Sequence, residues 1–216
     1  MALRVGGEWQ LLADVADPAG DDRGPSGRYT YPSDESYADD HAMDLKRVRV
    51  FGAGSALKLE LTMNRVSTRW NPANGFDHVA FTVFFERPGL DGGASVMPLQ
   101  DATLPDGMRW HRRLRVHGWQ NALFASTGAR ADNEGTPVTP GADIEVDKSR
   151  NTISFVLGSA ALGGPLPLSG TKVYVTTWDY DSGYRALAPE AQGSTMGGGA
   201  PGQPKVMDDS PVIVLP

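Results

Sequence analysis

The sequence predicts an all-β fold, an antiparallel β-sandwich with long Gly/Pro-rich loops, and three observations carry that reading. Several segments alternate apolar and polar residues at the two-residue period of a half-buried strand. No window of a dozen residues keeps apolar side chains at i, i+3, i+4 and i+7 without an interrupting Gly or Pro, so the helical period is missing. Gly and Pro number 26 and 16 among 216 residues, nearly a fifth of the chain against a usual share of roughly 12 %, and so punctuate it with turns.

Taken in order, Arg47-Val48-Arg49-Val50-Phe51 alternates and reads as a strand, and Gly52-Ala53-Gly54-Ser55 follows it as a hairpin connection. Residues 56–63 place Leu57, Leu59, Leu61 and Met63 on one face and Lys58, Glu60 and Thr62 on the other. Residues 79–86, V-A-F-T-V-F-F-E, are almost continuously apolar, as expected of a central strand covered on both sides. T-I-S-F-V-L at 152–157 and K-V-Y-V-T-T-W at 172–178 add two alternating strands, and Val212-Ile213-Val214-Leu215 closes the set. Between them, residues 17–44, 87–109, 126–143 and 183–210 are Gly/Pro/Asp-rich stretches far longer than the usual connection of about 4–6 residues, and such loops on a rigid sandwich carry function or bind ions. No fixed-period repeat is visible, and residues 1–216 read as one module.

Composition excludes several classes. A net charge of −6 argues against phosphate-backbone binding, which needs a basic surface, so nucleic acid is not an expected partner. The absence of cysteine removes thiol catalysis, disulfides and Cys-ligated metal sites. The apolar runs are far shorter than the roughly 20 residues of a membrane span, and Met1-Ala2-Leu3-Arg4 does not open a signal peptide.

Asp14, Asp17, Asp21 and Asp22 crowd a segment turned by Pro18, Gly20, Gly24 and Pro25. Hard oxygens on a tight loop suit calcium, although the spacing is not that of an EF-hand, and an acidic turn capping its own backbone is the competing reading. Asp44, at the entry to a strand, is a further carboxylate suited to an ion or to burial. Trp70, Asn71 and Asn74 lie in R-W-N-P-A-N-G-F between two strands, and Trp178, Asp179, Tyr180, Asp181, Tyr184 and Arg185 form the densest polar-aromatic cluster. An indole stacks on the apolar face of a sugar while Asn, Asp and Arg bond its hydroxyls, whereas a Trp that plugs the sandwich is the structural alternative. Exposure of Trp70, Trp119 and Trp178 separates the two. Asp179 and Asp181 also raise a glycosidase reading, but paired Asp residues are common in turns and no turnover is expected. Residues 110–121 are locally basic and carry His111 and His117, for which a shared metal is not expected. No G-x-S-x-G, P-loop, dinucleotide fingerprint or H-E-x-x-H is present.

Read in order, Asp17-Pro-x-Gly-Asp-Asp-x-Gly-Pro with Tyr29-Thr-Tyr-Pro, then Met43-Asp44-Leu45, Trp70-Asn71-x-x-Asn74-Gly75-Phe76, Asp181-x-Gly183-Tyr184-Arg185, and Gly197-Gly198-Gly199 before Lys205-Val206-Met207-Asp208, resemble the C-terminal domain family of glucodextranase. That family is related to family 9 carbohydrate-binding modules and DOMON-like sandwiches. The resemblance implies an immunoglobulin-like β-sandwich, a non-catalytic module attached to secreted α-glucan-acting enzymes such as glucodextranases, glucoamylases and pullulanases. It implies structural calcium at Asp17, Asp21, Asp22 and Asp44, an α-glucan or oligosaccharide as partner, and a catalytic domain on the same polypeptide. It also implies an extracellular or periplasmic location, with the chain a segment from the C-terminal region of a longer exported enzyme. By their chemistry Trp70, Asn71, Asn74, Trp178, Tyr180, Tyr184 and Arg185 are the expected sugar contacts; a spacer or cell-surface interaction domain is the alternative.

Overall fold

A computed structural model describes residues 7–216, and the opening Met1-Ala2-Leu3-Arg4 lies outside the described residues. Among these the strands run β1 Gln10–Ala16, β2 Leu45–Ala53, β3 Ala56–Met63, β4 Ala80–Glu86, β5 Val96–Met97, β6 Ala102–Thr103 and β7 Arg112–His117. They continue as β8 Gln120–Ala125, β9 Thr136–Val138, β10 Asp143–Asp147, β11 Thr152–Leu157, β12 Lys172–Trp178, β13 Asp208–Asp209 and β14 Ile213–Val214. One sheet has the order β1-β2-β3-β11-β10; the other is β13-β12-β4-β7-β8-β9, with β14 also on β12; β5 and β6 form a separate ribbon. Every pairing is antiparallel. The fold is an all-β sandwich, as the alternation requires, and no helix among the described residues is long and apolar enough to cross a membrane.

The inner faces meet as the two-residue period dictates. Leu57, Leu59 and Leu61 of β3, Val48 and Val50 of β2 and Ile153, Phe155 and Leu157 of β11 are buried in one cluster with Phe81, Val83, Phe85, Leu114, Val116, Val173 and Val175 of the opposite sheet. At about 1.5–3 kcal/mol for each large apolar side chain withdrawn from water, this face dominates the stability of the fold.

The outer face of the larger sheet is covered too, which accounts for the unbroken apolar run in β4. Phe84 points away from the main core and packs with Met97, Leu104, Met108, Trp110, Tyr174 and Val206 in a second buried cluster. The chain between β4 and β7 thus folds back across its own sheet. On the neighbouring strand β7 the same face carries Arg113, directly opposite Phe84, and Arg115, both buried, with Glu134 accepting from Arg113 at 3.0 Å and from Arg115 at 2.6 and 2.9 Å. Both guanidinium groups also lie over Phe124. The long return after β12 lies over Trp178: a bridge joins Thr30 to Gly197, and Gly198, at positive φ, leaves no room for a side chain against the Arg28 carbonyl. Only glycine fits there.

The two-residue turns, short strands and half-exposed edges differ in how far they stand out in the chain. β1, β9 and β10 lie at or near sheet edges with only partly buried side chains, and none of them is among the strands that the alternation predicts. The basic stretch at 110–121 folds into the hairpin β7–β8.

Candidate functional site

Two loops and one hairpin turn converge at one end of the larger sheet to form a cleft of about 790 Å³. The first loop joins β3 to β4 and carries Trp70; the turn is Gly118-Trp119; the second loop follows β12 and carries Tyr180, Asp181 and Arg185. Trp70 and Trp119 are 41 % and 52 % exposed, with ring centroids 6.2 Å apart and planes inclined by 34°. A sugar held between two rings needs two van der Waals separations, roughly 7–8 Å in all, so this pair offers adjoining outer faces and does not sandwich a ring.

Each indole is held from behind. The Trp70 ring lies 3.8 Å from His78, centroid to centroid, and its backbone N–H donates to Asp77 Oδ2 at 2.7 Å. His78 is fixed in turn: Nδ1 meets Asp77 Oδ1 at 2.6 Å and Nε2 meets Ser36 Oγ at 3.0 Å. Burial acts to raise the Asp77 pKa, but the hydrogen bonds from His78, Ser67 and the Trp70 N–H outweigh it and hold the carboxyl below its usual range. Trp119 is held through its turn. Asn74 donates from its side chain to the carbonyls of His117 at 2.7 Å and Gln120 at 3.3 Å, and from its backbone to that of Gly118 at 2.8 Å. A Cβ on Gly118 would stand 2.6 Å from the Phe76 carbonyl oxygen and 2.8 Å from Pro72 Cβ, so the turn docks on the Trp70 loop only because it has no side chain there.

On the far wall Asp179 is fully engaged. Its Oδ1 accepts from the Tyr180 N–H, and its Oδ2 from the Tyr37 hydroxyl and from Arg185 Nε at 2.7 Å. Tyr180 stacks on His117, centroids 4.8 Å apart and planes 26° apart, under the Arg115 guanidinium at 4.2 Å.

The expected sugar contacts therefore separate. Trp70, Tyr180 and Arg185 line the cleft. Asn71 is exposed on the Trp70 loop at positive φ, and Asn74 serves as the clamp of the Trp119 turn. Trp178 is corrected: alternation places it on the outer face of β12, where Tyr29 meets its ring edge-on at 5.9 Å and its Nε1 donates to the Arg185 carbonyl, leaving 1 % exposed. Tyr184, partly buried, is not among the residues that line the cleft, and its hydroxyl is engaged by Thr82 Oγ1 at 2.8 Å and Arg113 Nη2 at 2.7 Å. Trp119, His78 and His117 complete the cleft. The sequence signal for Trp119 and His117 is H-G-W-Q between two strand-like stretches, whereas His78 follows Asp77 at the entry to β4.

A second constellation lies near the N-terminal loop. Carboxylate oxygens of Asp17, Asp21 and Asp208 all fall within 4.8 Å of one another. Asp17 Oδ2 is buried without a hydrogen-bond partner. Burial, and then the neighbouring Asp21, Asp209 and Asp44, raise the Asp17 pKa to about 7. Burial raises that of Asp208 to about 8, against the hydrogen bond from the Leu45 N–H and with the help of Asp17 and Asp21. Oxygen donors so arranged, one of them orphaned, fit a hard cation such as calcium. Asp44 and Asp22 stand beside this group. Both oxygens of Asp44 accept from the Gly20 N–H at 3.1 Å, and Asp22 Oδ2 takes the Tyr31 hydroxyl and His41 Nδ1, each at 2.6 Å. Asp208, on β13, is the member brought in from 190 residues away by the pairing of β13 with β12.

The sequence model of one protein family, described as the C-terminal binding-module, SLH-like, of glucodextranase, matches residues 12–212. No curated protein matches the chain.

Proposed function

Because the chain belongs to the family of SLH-like C-terminal binding modules of glucodextranase, we propose that it is a non-catalytic carbohydrate-binding or accessory module of a secreted α-glucan-acting glycoside hydrolase, stabilised by calcium. The observation that carries this reading is the pair of exposed indoles, Trp70 and Trp119, side by side on the rim of a cleft whose other walls are polar. A pyranose laid across them covers apolar surface that is otherwise wet, while its hydroxyls reach polar side chains below. The partners in this reading are an α-glucan chain and a catalytic domain on the same exported polypeptide, with residues 1–216 acting as one module.

Asp17, Asp21 and Asp208 are the residues that hold calcium in this reading, with Asp44 clamping the loop at Gly20 and Asp22 buried beside it. Bound calcium supplies positive charge that offsets the mutual repulsion of these carboxylates and ties the N-terminal loop to β13. Catalysis has no part in the proposal, since the oxygens of Asp179 are engaged by Tyr37, Arg185 and the Tyr180 N–H.

Affinity electrophoresis against starch, pullulan, dextran and isomalto-oligosaccharides tests the sugar half. Retardation by at least one of them, lost in the Trp70→Ala, Trp119→Ala double variant, is the expected outcome; unretarded migration in all four sinks it. A spacer or cell-surface interaction role is the second reading, favoured by the SLH-like description of the family and by the burial of Trp178.

A further inference from the structure

His117 lines the wall of the indole cleft, is 8 % exposed, and has no hydrogen-bond partner at either ring nitrogen. A buried imidazole without partners is unusual, because each of its polar atoms loses water and gains nothing in exchange. Its plane is fixed by the stack on Tyr180, which Arg115 holds from above. The Gln120 side chain approaches the ring outside hydrogen-bonding geometry, with its Oε1 given to Arg115 Nη1 at 2.5 Å. That cover is exposed and replaceable, since Arg115 keeps two bonds to Glu134 when Gln120 swings away.

We propose that His117 is the hydrogen-bonding residue of this cleft, and that a ring nitrogen, uncovered when Gln120 swings away, bonds a hydroxyl of an uncharged sugar lying against Trp70 and Trp119. The inference rests on the carbohydrate-binding reading above and adds to it the ligand class and the residue that selects it. A neutral imidazole presents one N–H and one lone pair on opposite edges, and whichever nitrogen faces the cleft can pair with a sugar hydroxyl, which both donates and accepts. Burial holds the ring neutral by lowering its pKa, opposed by Gln120 and reinforced by Arg115. The charges around it favour an uncharged ligand as well: the Arg185 cation is already paired with Asp179, and Asp181 stands exposed at the mouth.

The experiment is calorimetry of the whole chain with isomaltotriose, maltotriose and, as an anionic control, digalacturonate, together with long-range ¹H–¹⁵N spectra of the imidazoles. The variants are His117→Phe, which keeps the stack on Tyr180 and removes both nitrogens, and Trp119→Ala. Binding of a neutral trisaccharide, displacement of the His117 nitrogen signals by it, and at least tenfold weaker binding in His117→Phe with the melting temperature kept or raised are the expected results. If a trisaccharide binds and Trp119→Ala abolishes binding while His117→Phe and the nitrogen signals stay unchanged, this inference is overturned and the indole platform stands. Equal affinity for digalacturonate overturns the uncharged class. No binding of any neutral glucan removes the carbohydrate-binding reading and this inference together. Should His117→Phe not fold, the nitrogen signals of the unmodified chain decide alone.

Discussion

Asp17 and Asp208 show how one pair of residues ties local chemistry to stability. Their folded pKa values, raised to about 7 and about 8, lie well above the ordinary carboxylate value of about 3.9. Between these limits Asp17 and Asp208 bind more protons in the metal-free folded chain than in the unfolded one, so their contribution to stability falls as pH rises from about 4 to about 8. In the proposed reading calcium binds the deprotonated carboxylates and cancels that repulsion, so its stabilising effect is expected to grow over the same window. Melting curves in EDTA and in calcium between pH 5 and 8.5 are expected to diverge upward with pH; a gap that does not widen would contradict the ligand set. Two of the three residues, Asp17 and Asp21, were legible in the sequence because they share one turn-rich segment. Asp208 was not, because nothing in local spacing tells that β13 returns beside the first loop. Likewise Trp178 reads as a strand-end aromatic ready for a ligand, and only the loop that folds over it reveals its burial.

At the scale of elements, the turn between β7 and β8 and the loop between β3 and β4 act as one unit. The contact between them is the bare Cα of Gly118 against Phe76 and Pro72, sewn by three hydrogen bonds from Asn74. Gly118→Ala forces the two apart by about the width of a methyl group, and it is expected to lower stability by about 1–3 kcal/mol and to weaken glucan binding by displacing Trp119. Asn74→Ala removes two side-chain bonds at about 0.5–1.5 kcal/mol each and acts in the same direction. Denaturant unfolding and binding isotherms on the two variants check both; wild-type affinity in Gly118→Ala would show that the turn does not position Trp119. The strong strands β3, β11 and β12 stood out with their observed limits, since apolar residues recur at every second position along each of them and nearly every residue is buried. The edge strands β1 and β10 did not: β10 alternates, but with only two apolar residues, Ile144 and Val146, and β1 runs into the Asp-rich segment that reads as a turn.

For the molecule as a whole, the plan is a two-sheet core that needs no disulfide, with loops folded back over the outer face of one sheet and gathered into a cleft at its end. The class of fold was readable because alternation is a local property; the cleft was readable only in part, because it is assembled from three segments far apart in the chain, around Trp70, Trp119 and Tyr180. If calcium binds the folded chain at a hundredfold excess over its dissociation constant, it adds about 2.7 kcal/mol, or roughly 5–10 °C in melting temperature for a chain of this length. An unchanged melting curve after verified metal removal would contradict calcium altogether. The most direct test of the central claim uses the indoles as reporters: Trp70 and Trp119 are the exposed pair, whereas Trp110 and Trp178 are buried. Titrating the chain with dextran and with soluble starch while following tryptophan fluorescence is expected to give a saturable change that the Trp70→Ala, Trp119→Ala variant loses. A flat signal with both polymers, or a change that survives in the double variant, would contradict a glucan-binding cleft.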